Sequence, residues 1–278
     1  MSVEVLIVGF GDLASAMADI LTKQDMHLVG LRRTSKRSSE EVTYLVGDVT
    51  QIQTLGHLSN LKPDIVIYCV AADAQSDESY RRHYVEGLYN VLESLNILSP
   101  PRHFFFVSST RVYGQSTEEI LNEKTTPEPN DFGGERLLEA EALLKKYNFN
   151  STILRLSGIY GSGRLRMIEL AKSPQKWPKQ NSWTNRIHRE DAARWICYLI
   201  DQVMHDKKIQ DCYIVTDDKP SSQFEVLKWI ADKLEIDTSM IPDIPPTAGK
   251  RLSNKLMHES GFNLIYPDYR SGYLSLIY

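Results

Sequence analysis

Hydrophobic positions follow two rhythms along the first half of the chain. Short runs rich in β-branched residues, Glu4–Gly9, His27–Leu31, Thr43–Val46, Asp64–Ala71, His103–Ser108 and Ser151–Leu156, are apolar without alternation, the pattern of strands covered on both faces. Helix-length stretches separate them, over Leu13–Lys23, Thr50–Asn60, Asp77–Leu95 and Gly133–Tyr147. In Asp77–Leu95, residues Tyr80, Tyr84, Leu88, Val91, Leu92 and Leu95 share one stripe at helical period and read as a core-facing side. Strand and helix in alternation predict an α/β fold, a Rossmann-type doubly wound parallel sheet. After about Tyr160 the rhythm loosens. Gly161-Ser162-Gly163-Arg164 leads into a Trp/Pro/Asn-rich stretch, Ser173–Asn185, then helices near Glu190–Val203 and Gln223–Leu234. Pro242, Pro245 and Pro246 break the chain before its last segment, and no internal repeat or low-complexity tract interrupts it.

Composition narrows the class. The 278 residues are 42% hydrophobic and 24% charged, and the longest apolar run, Ile65–Ala72, is eight residues long. A membrane span needs roughly 18 to 20. The first residues carry no basic leader, so a cytoplasmic location is expected. With 32 Lys+Arg against 36 Asp+Glu, a net charge of −4, no general field draws nucleic acid or anionic membrane. An anionic small molecule must be caught by a local cluster. Cys69, Cys197 and Cys212 are odd in number, widely spaced and set in apolar surroundings, as expected of reduced, buried thiols. The seven histidines show no ligand spacing with cysteine or carboxylate, so no metal site is expected.

Gly9-Phe10-Gly11-Asp12-Leu13-Ala14 follows a strand and opens a helix, the context that gives a GxGxxG-type run its meaning. Gly9 permits the tight turn, Gly11 lets the backbone approach a pyrophosphate, and Ala14 keeps helix and strand close. The amides that open the helix then hold the anion. The next strand ends in Arg32-Arg33, with Lys36 and Arg37 beyond, and offers no carboxylate for a ribose 2′-hydroxyl. Guanidinium groups suit a 2′-phosphate, so NADP(H) is favoured over NAD(H); a solvated basic loop is the alternative.

Taken with further landmarks, the chain resembles the extended short-chain dehydrogenase/reductase family, the NAD-dependent epimerase/dehydratase group, over essentially its whole length. The landmarks are Gly47-Asp48-Val49, Cys69-Val70-Ala71-Ala72, Val85–Leu92, Val107-Ser108-Ser109-Thr110-Arg111-Val112-Tyr113-Gly114, Leu154–Gly161 and Asn185–Ala193. The resemblance implies cofactor contacts from Gly9, Gly11, Asp12, Leu13, Ala14, Arg32, Arg33, Asp48, Val49, Val70, Ala71, Ala72, Ser108 and Arg136. It also implies a dinucleotide-binding domain over 1–160 to which part of 185–220 returns, with 161–278 mainly a smaller C-terminal substrate-binding lobe. Arg111, Tyr113, Arg164, Asn185 and Arg186 fall where relatives build the substrate pocket, for a small, anionic, sugar-like molecule. His188 reads equally as a packing residue. Trp177 and Trp183 flank a loop that anchors the lobe or closes over a ligand. A homodimer through the Asp77–Leu95 and Gly133–Tyr147 helices is implied in the same way.

In that family a Tyr-x-x-x-Lys pair moves the proton, and a serine or threonine at the fifth strand end orients the reacting hydroxyl. Here the catalytic positions read Ser109, Phe132 and Arg136, in the run Phe132-Gly133-Gly134-Glu135-Arg136. Phenylalanine has no proton to exchange. The chain therefore resembles the atypical branch of the family, a view that Gly249–Asn254, Gly261-Phe262 and Tyr266–Tyr269 support. Thr110 and Arg111 stand where dehydratases carry acids, so 4,6-dehydration by that route is not expected. Asp131, Glu135 and Thr126 are substitute proton donors or ordinary loop and helix-start residues. Two functions stay open: an NADP(H)-preferring enzyme of the epimerase or reductase type with an atypical active site, and a non-catalytic NADP(H) sensor or scaffold.

Overall fold

The computed structural model describes residues 3–24, 26–95 and 99–278. Its centre is a seven-stranded sheet. In chain order the first elements are β1 (Val3–Val8), α1 (Asp12–Leu21), β2 (Met26–Arg32), β3 (Val42–Val46), β4 (Ile65–Tyr68), α2 (Asp77–Tyr80), α3 (Gly87–Ser94), β5 (His103–Ser109) and α4 (Phe132–Leu144). Strands Ser151–Leu156 and Cys212–Val215 complete the sheet beyond β5, and the order from there is β5-β4-β1-β2-β3. Every pairing from β5 through β3 is parallel. The order reverses direction between β1 and β4, the switch point beyond which doubly wound sheets open their ligand crevice.

Apolar, unalternating strands are buried because both faces are covered. Val5 to Val8, Ile65 to Tyr68 and Phe104 to Phe106 are fully buried. Helix α1 packs Leu13, Ala14, Met17, Ala18 and Leu21 inward from one face, at the i, i+1, i+4, i+5, i+8 spacing of an amphipathic helix. Cys69, Cys197 and Cys212 form no disulfide; Cys197 is buried, Cys69 and Cys212 are half-buried, and burial pushes the Cys69 and Cys197 thiols up to about 12.

Two stretches depart from the expected helices, each for a local reason. Thr50–Asn60 forms only 3-10 turns, Ile52–Thr54 and Gly56–Asn60. The Thr54 hydroxyl donates to the carbonyls of Gln51 and Asp48 and accepts from the Asp48 amide, so it competes for the groups a helix would use. Gly56 weakens the alternative further. Asp77–Ser94 is one continuous run with a π-helical middle, Arg81–Glu86. There the buried Tyr68 hydroxyl donates to the His83 carbonyl, an insertion of the kind that opens a helical ladder. Gly87 lets the helix pass: a Cβ there would come within 2.7 Å of that hydroxyl.

The chain divides into two compact units. The first, 1–112, 129–155 and 193–213, holds the cofactor landmarks up to β5. The second, 113–128, 156–192 and 214–278, has its own core, in which Tyr160, Ile168, Trp177, Leu227, Ile230, Tyr269 and Tyr273 pack together. Short ladders organise it: Gly158–Tyr160 beside Arg186–His188, Ser182–Thr184 beside Ser221–Ser222 and Ala248–Gly249, and Ile120–Leu121 beside Arg251–Leu252. Trp177 is buried and its indole N–H donates to the Leu170 carbonyl, which anchors the Trp/Pro/Asn-rich stretch.

Candidate functional site

The first crevice wall is the turn after β1. Gly9 has φ +88°, in the left-handed region that glycine alone enters cheaply, and a Cβ there would lie 2.8 Å from the Val70 backbone. The amides of Gly9 and Phe10 both donate to the Leu31 carbonyl, pinning the turn to β2. Phe10 turns inward: it is buried, meets Tyr44 edge-on at 5.0 Å, and takes the space a side chain at Gly30 would need. Gly11 faces outward. A Cβ there would meet nothing nearer than the Gly9 carbonyl at 4.0 Å, and no side chain caps α1. An open helix start beneath a bare glycine backbone fits a pyrophosphate. Leu13 and Ala14 are buried behind it and shape the turn through packing.

At the end of β2, Arg32 is half-buried and donates to the Thr34 hydroxyl, and its buried Nε has no hydrogen-bond partner among the described residues. Arg33 is exposed and ion-paired at 2.5 Å with Asp73, which also lies 3.3 Å from the His83 ring. Asp73 holds the Arg33 charge, and that contact keeps the Asp73 carboxyl below the usual range. The carboxylate absent from the β2 end thus reaches it from the segment after β4, a meeting across 40 residues with no local sequence signal. After β3, Asp48 accepts from the Thr50 amide and hydroxyl, and Val49 is buried with its carbonyl receiving the Asn90 amide. Val70, Ala71 and Ala72 follow β4 as a small, partly exposed ledge.

At the end of β5, Ser108 and Ser109 diverge. Ser108 is buried and donates to Glu141, which is itself buried in an ion pair with Arg155 at 2.6 Å. Ser109 is half-buried, and its hydroxyl oxygen accepts from the Arg111 amide, leaving its proton free to orient toward a ligand. Helix α4 begins beside it. Asp131 caps it by accepting from the Gly134 amide, and Phe132 is its first residue.

The space around Phe132 belongs to Arg111. Its guanidinium carbon lies 4.9 Å from the ring centres of both Phe132 and Tyr80. Its Nε donates to both oxygens of Asp131, at 2.8 and 2.9 Å, and its Nη1 donates to the Tyr80 hydroxyl at 2.7 Å and to Gln75 at 2.9 Å. Tyr80 meets Phe132 edge-on at 5.4 Å. A Cβ on Gly133 would strike the guanidinium at 2.4 Å, and one on Gly134 the Arg111 carbonyl at 2.7 Å. Two glycines in a helical first turn are costly, and here the arginine requires them. Burial works against the Asp131 charge, but the Gly134 amide and Arg111 outweigh it and hold the carboxyl below its usual range. Arg136 is bound elsewhere, by both oxygens of Asp77 and by Glu139, which raise its pKa.

Tyrosines that could stand in for Phe132 from the nearby sequence are engaged. The buried Tyr113 donates to the Asn122 carbonyl, and Tyr147 donates to Glu93. Glu135 and Thr126 are exposed. Tyr80, Gln75 and Asp73, which sequence reasoning did not assign to the site, join it through the run after β4; Tyr80 shares a helical stripe with core residues, which hides it.

Within the second unit, Arg164 is exposed on the turn closed by its amide to the Gly161 carbonyl. Asn185 donates to the Lys250 carbonyl and accepts from the Leu252 amide, so its side chain ties the local ladder. Arg186 is buried, donates to Thr184 and lies over the Tyr269 ring at 5.5 Å. The buried His188 meets Tyr160 edge-on at 5.2 Å, and burial lowers its pKa. Among the described residues no group of three or more His, Cys, Asp or Glu could hold a metal ion, and no helix is long and apolar enough to cross a membrane.

Comparison with known proteins agrees with this geometry. The family model described as the NAD dependent epimerase/dehydratase family matches residues 5–212. A solved structure of a proposed NAD-dependent epimerase/dehydratase from Methylobacillus flagellatus is 46% identical, with a TM-score of 0.90, covering 100% of this chain and 98% of that one. Two more distant structures share the fold: Bordetella bronchiseptica WbmG in complex with NAD and UDP (17% identity, TM-score 0.79, coverage 99% and 94%) and Thermotoga maritima UDP-glucose 4-epimerase with UDP-glucose (15%, 0.78, 97% and 96%). No curated protein matches the sequence. A turn, a switch point and a family match over most of the chain agree, and the chain belongs to the NAD-dependent epimerase/dehydratase family.

Proposed function

We propose that the chain is an NAD(P)-dependent oxidoreductase or isomerase acting on a nucleotide-linked or other anionic sugar-like molecule, with the family's phenol and cation supplied by Tyr80 and Arg111. The observation that carries this reading is the 2.7 Å contact from Arg111 Nη1 to the Tyr80 hydroxyl, against the edge of Phe132. A phenol beside a permanent cation is what a Tyr/Lys pair provides, because the cation holds negative charge that develops on the oxygen. Ser109 orients the reacting hydroxyl, and its oxygen is already set by the Arg111 amide. Tyr80 Oη gives or takes the proton, with Gln75 Oε1 at 3.2 Å as the resting acceptor. Asp131 neutralises Arg111, so that cation positions groups rather than catching a substrate anion.

The nicotinamide cofactor, when bound, supplies or accepts the hydride. Gly9, Gly11 and the start of α1 would hold its pyrophosphate, and Asp48, Val49 and Val70 to Ala72 would line the crevice for the rest of the molecule. Arg32 and Arg33 favour a 2′-phosphate, with Asp73 released from Arg33 on binding. Substrate class rests on the UDP and UDP-glucose in the two distant structures. A homodimer through the Asp77–Ser94 run and α4 completes the reading.

The test is incubation with UDP- and dTDP-sugars, read by nicotinamide absorbance for net oxidation or reduction and by chromatography of the sugar nucleotide for isomerisation, which returns its hydride and leaves the absorbance unchanged. Turnover is expected, and Ser109→Ala or Tyr80→Phe lowers kcat roughly 10²- to 10⁴-fold while cofactor affinity is kept. Arg136, fully engaged by Asp77 and Glu139, favours a second reading, an NADP(H) sensor. Tight cofactor binding with no turnover on any sugar nucleotide selects it.

A further inference from the structure

The first unit carries a cavity of about 660 Å³ at the opposite edge of the sheet from the dinucleotide turn. Its walls include His103 and Ser151, which begin their strands, whereas the crevice residues end theirs. Seven residues of β5 separate the two edges, about 20 Å at the usual strand rise. Its volume lies within the range of small-molecule sites.

The lining has a charge the rest of the chain lacks. Among the described residues that line it, Arg102, Lys145, Lys207 and Lys208 stand against two carboxylates, Asp206 and Asp211, in a chain whose net charge is −4. Arg102 is spent on Asp206, to which it is ion-paired, and on the Met204 carbonyl. The three lysines have no carboxylate partner among the described residues. One wall is aromatic and fixed: Phe149 stacks on Phe104 at 5.6 Å and lies 5.8 Å from Tyr147, whose hydroxyl donates to Glu93. The floor is fixed too. The Thr152 hydroxyl gives its one proton to the Gln210 carbonyl, so its 2.9 Å contact with His103 Nε2 has the imidazole as donor.

We propose that this cavity binds a nucleoside mono- or diphosphate, its phosphates among Lys145, Lys207 and Lys208 and its base against Phe149 and Tyr147. Lysine ammoniums bind phosphate as point charges, and an aromatic wall accepts a base of any sequence by stacking. The site is separate from the crevice of the proposed reaction and does not depend on it.

Calorimetric titration with ADP tests it on the full chain, with and without saturating NADPH. Wild-type protein is expected to bind ADP in both conditions, and Lys207→Glu/Lys208→Glu to weaken that binding about tenfold or more while NADPH affinity and melting temperature hold. Lys207→Arg/Lys208→Arg should keep it. ADP binding that NADPH abolishes, or that is equal in wild type and the Glu variant, overturns the proposal. Gly11→Val separates the two sites, since it should spare ADP binding here whatever it does to NADPH.

Discussion

Gly133 and Arg111 occupy each other's space, so they should behave as one unit. Gly133→Ala is expected to destabilise the fold by about 1–3 kcal/mol, the range for overpacking. Arg111→Ala in the same chain should remove most of that penalty; additive effects in a urea-unfolding double-mutant cycle would contradict the packing described. Phe132→Tyr alone adds a hydroxyl beside a guanidinium already claimed by Asp131, Gln75 and Tyr80, and should not raise turnover. Deeper in, Glu141→Ala removes the carboxylate that faces the buried Arg155 charge and should cost about 3–5 kcal/mol by the same unfolding measurement. The residues of the glycine turn were legible because their chemistry is local: strand, turn and helix stand side by side in the chain. Arg111 was expected at the substrate pocket, but its contact with Tyr80 was not legible, because 31 residues separate the two and only the folded helix brings the phenol to the guanidinium.

Among the elements, α4 depends on Asp131. The folded carboxyl titrates below its unfolded value of about 3.9. Its stabilisation is therefore complete above that value and is lost as pH falls through the lower, folded one. Asp131→Asn should flatten this part of the acid limb in a pH series of melting curves, and an unchanged limb would contradict the assignment. The strands of the sheet were readable because unalternating apolar runs have few other uses, and all six expected ones formed within a few residues of their limits. Thr50–Asn60 was not readable: periodicity there suits a helix, and the Thr54 hydroxyl overrides it by a hydrogen-bond choice that periodicity does not record. The π-helical middle of Asp77–Ser94 escaped for a similar reason, since Tyr68, which bonds into it, comes from β4.

For the molecule as a whole, the two units interleave along the chain, and a linear reading could place the cofactor landmarks without locating every crossing. The second unit carries a titration of its own. Asp217 is buried, and burial raises its carboxyl to about 8 against the opposing pull of Arg186. Folded protein keeps that proton up to about pH 8, whereas the unfolded chain releases it near 4, so stability should fall as pH rises across that window. Asp217→Asn should remove the slope in melting temperature between those limits; a slope that persists unchanged would assign it to other groups. Scattering mass at micromolar concentration tests the proposed dimer, with a monomer mass contradicting it.

Most direct of all is a titration of wild type and Gly11→Val with NADPH and NADH by protein fluorescence, beside their melting curves. Gly11 has ordinary extended backbone and open space above it, so valine should leave the melting temperature within a few degrees while projecting into the pyrophosphate position. Wild type is expected to bind both cofactors, NADPH the more tightly, and the variant to lose at least about tenfold of each affinity. Equal binding by a folded variant, or no binding by wild type, would contradict the account.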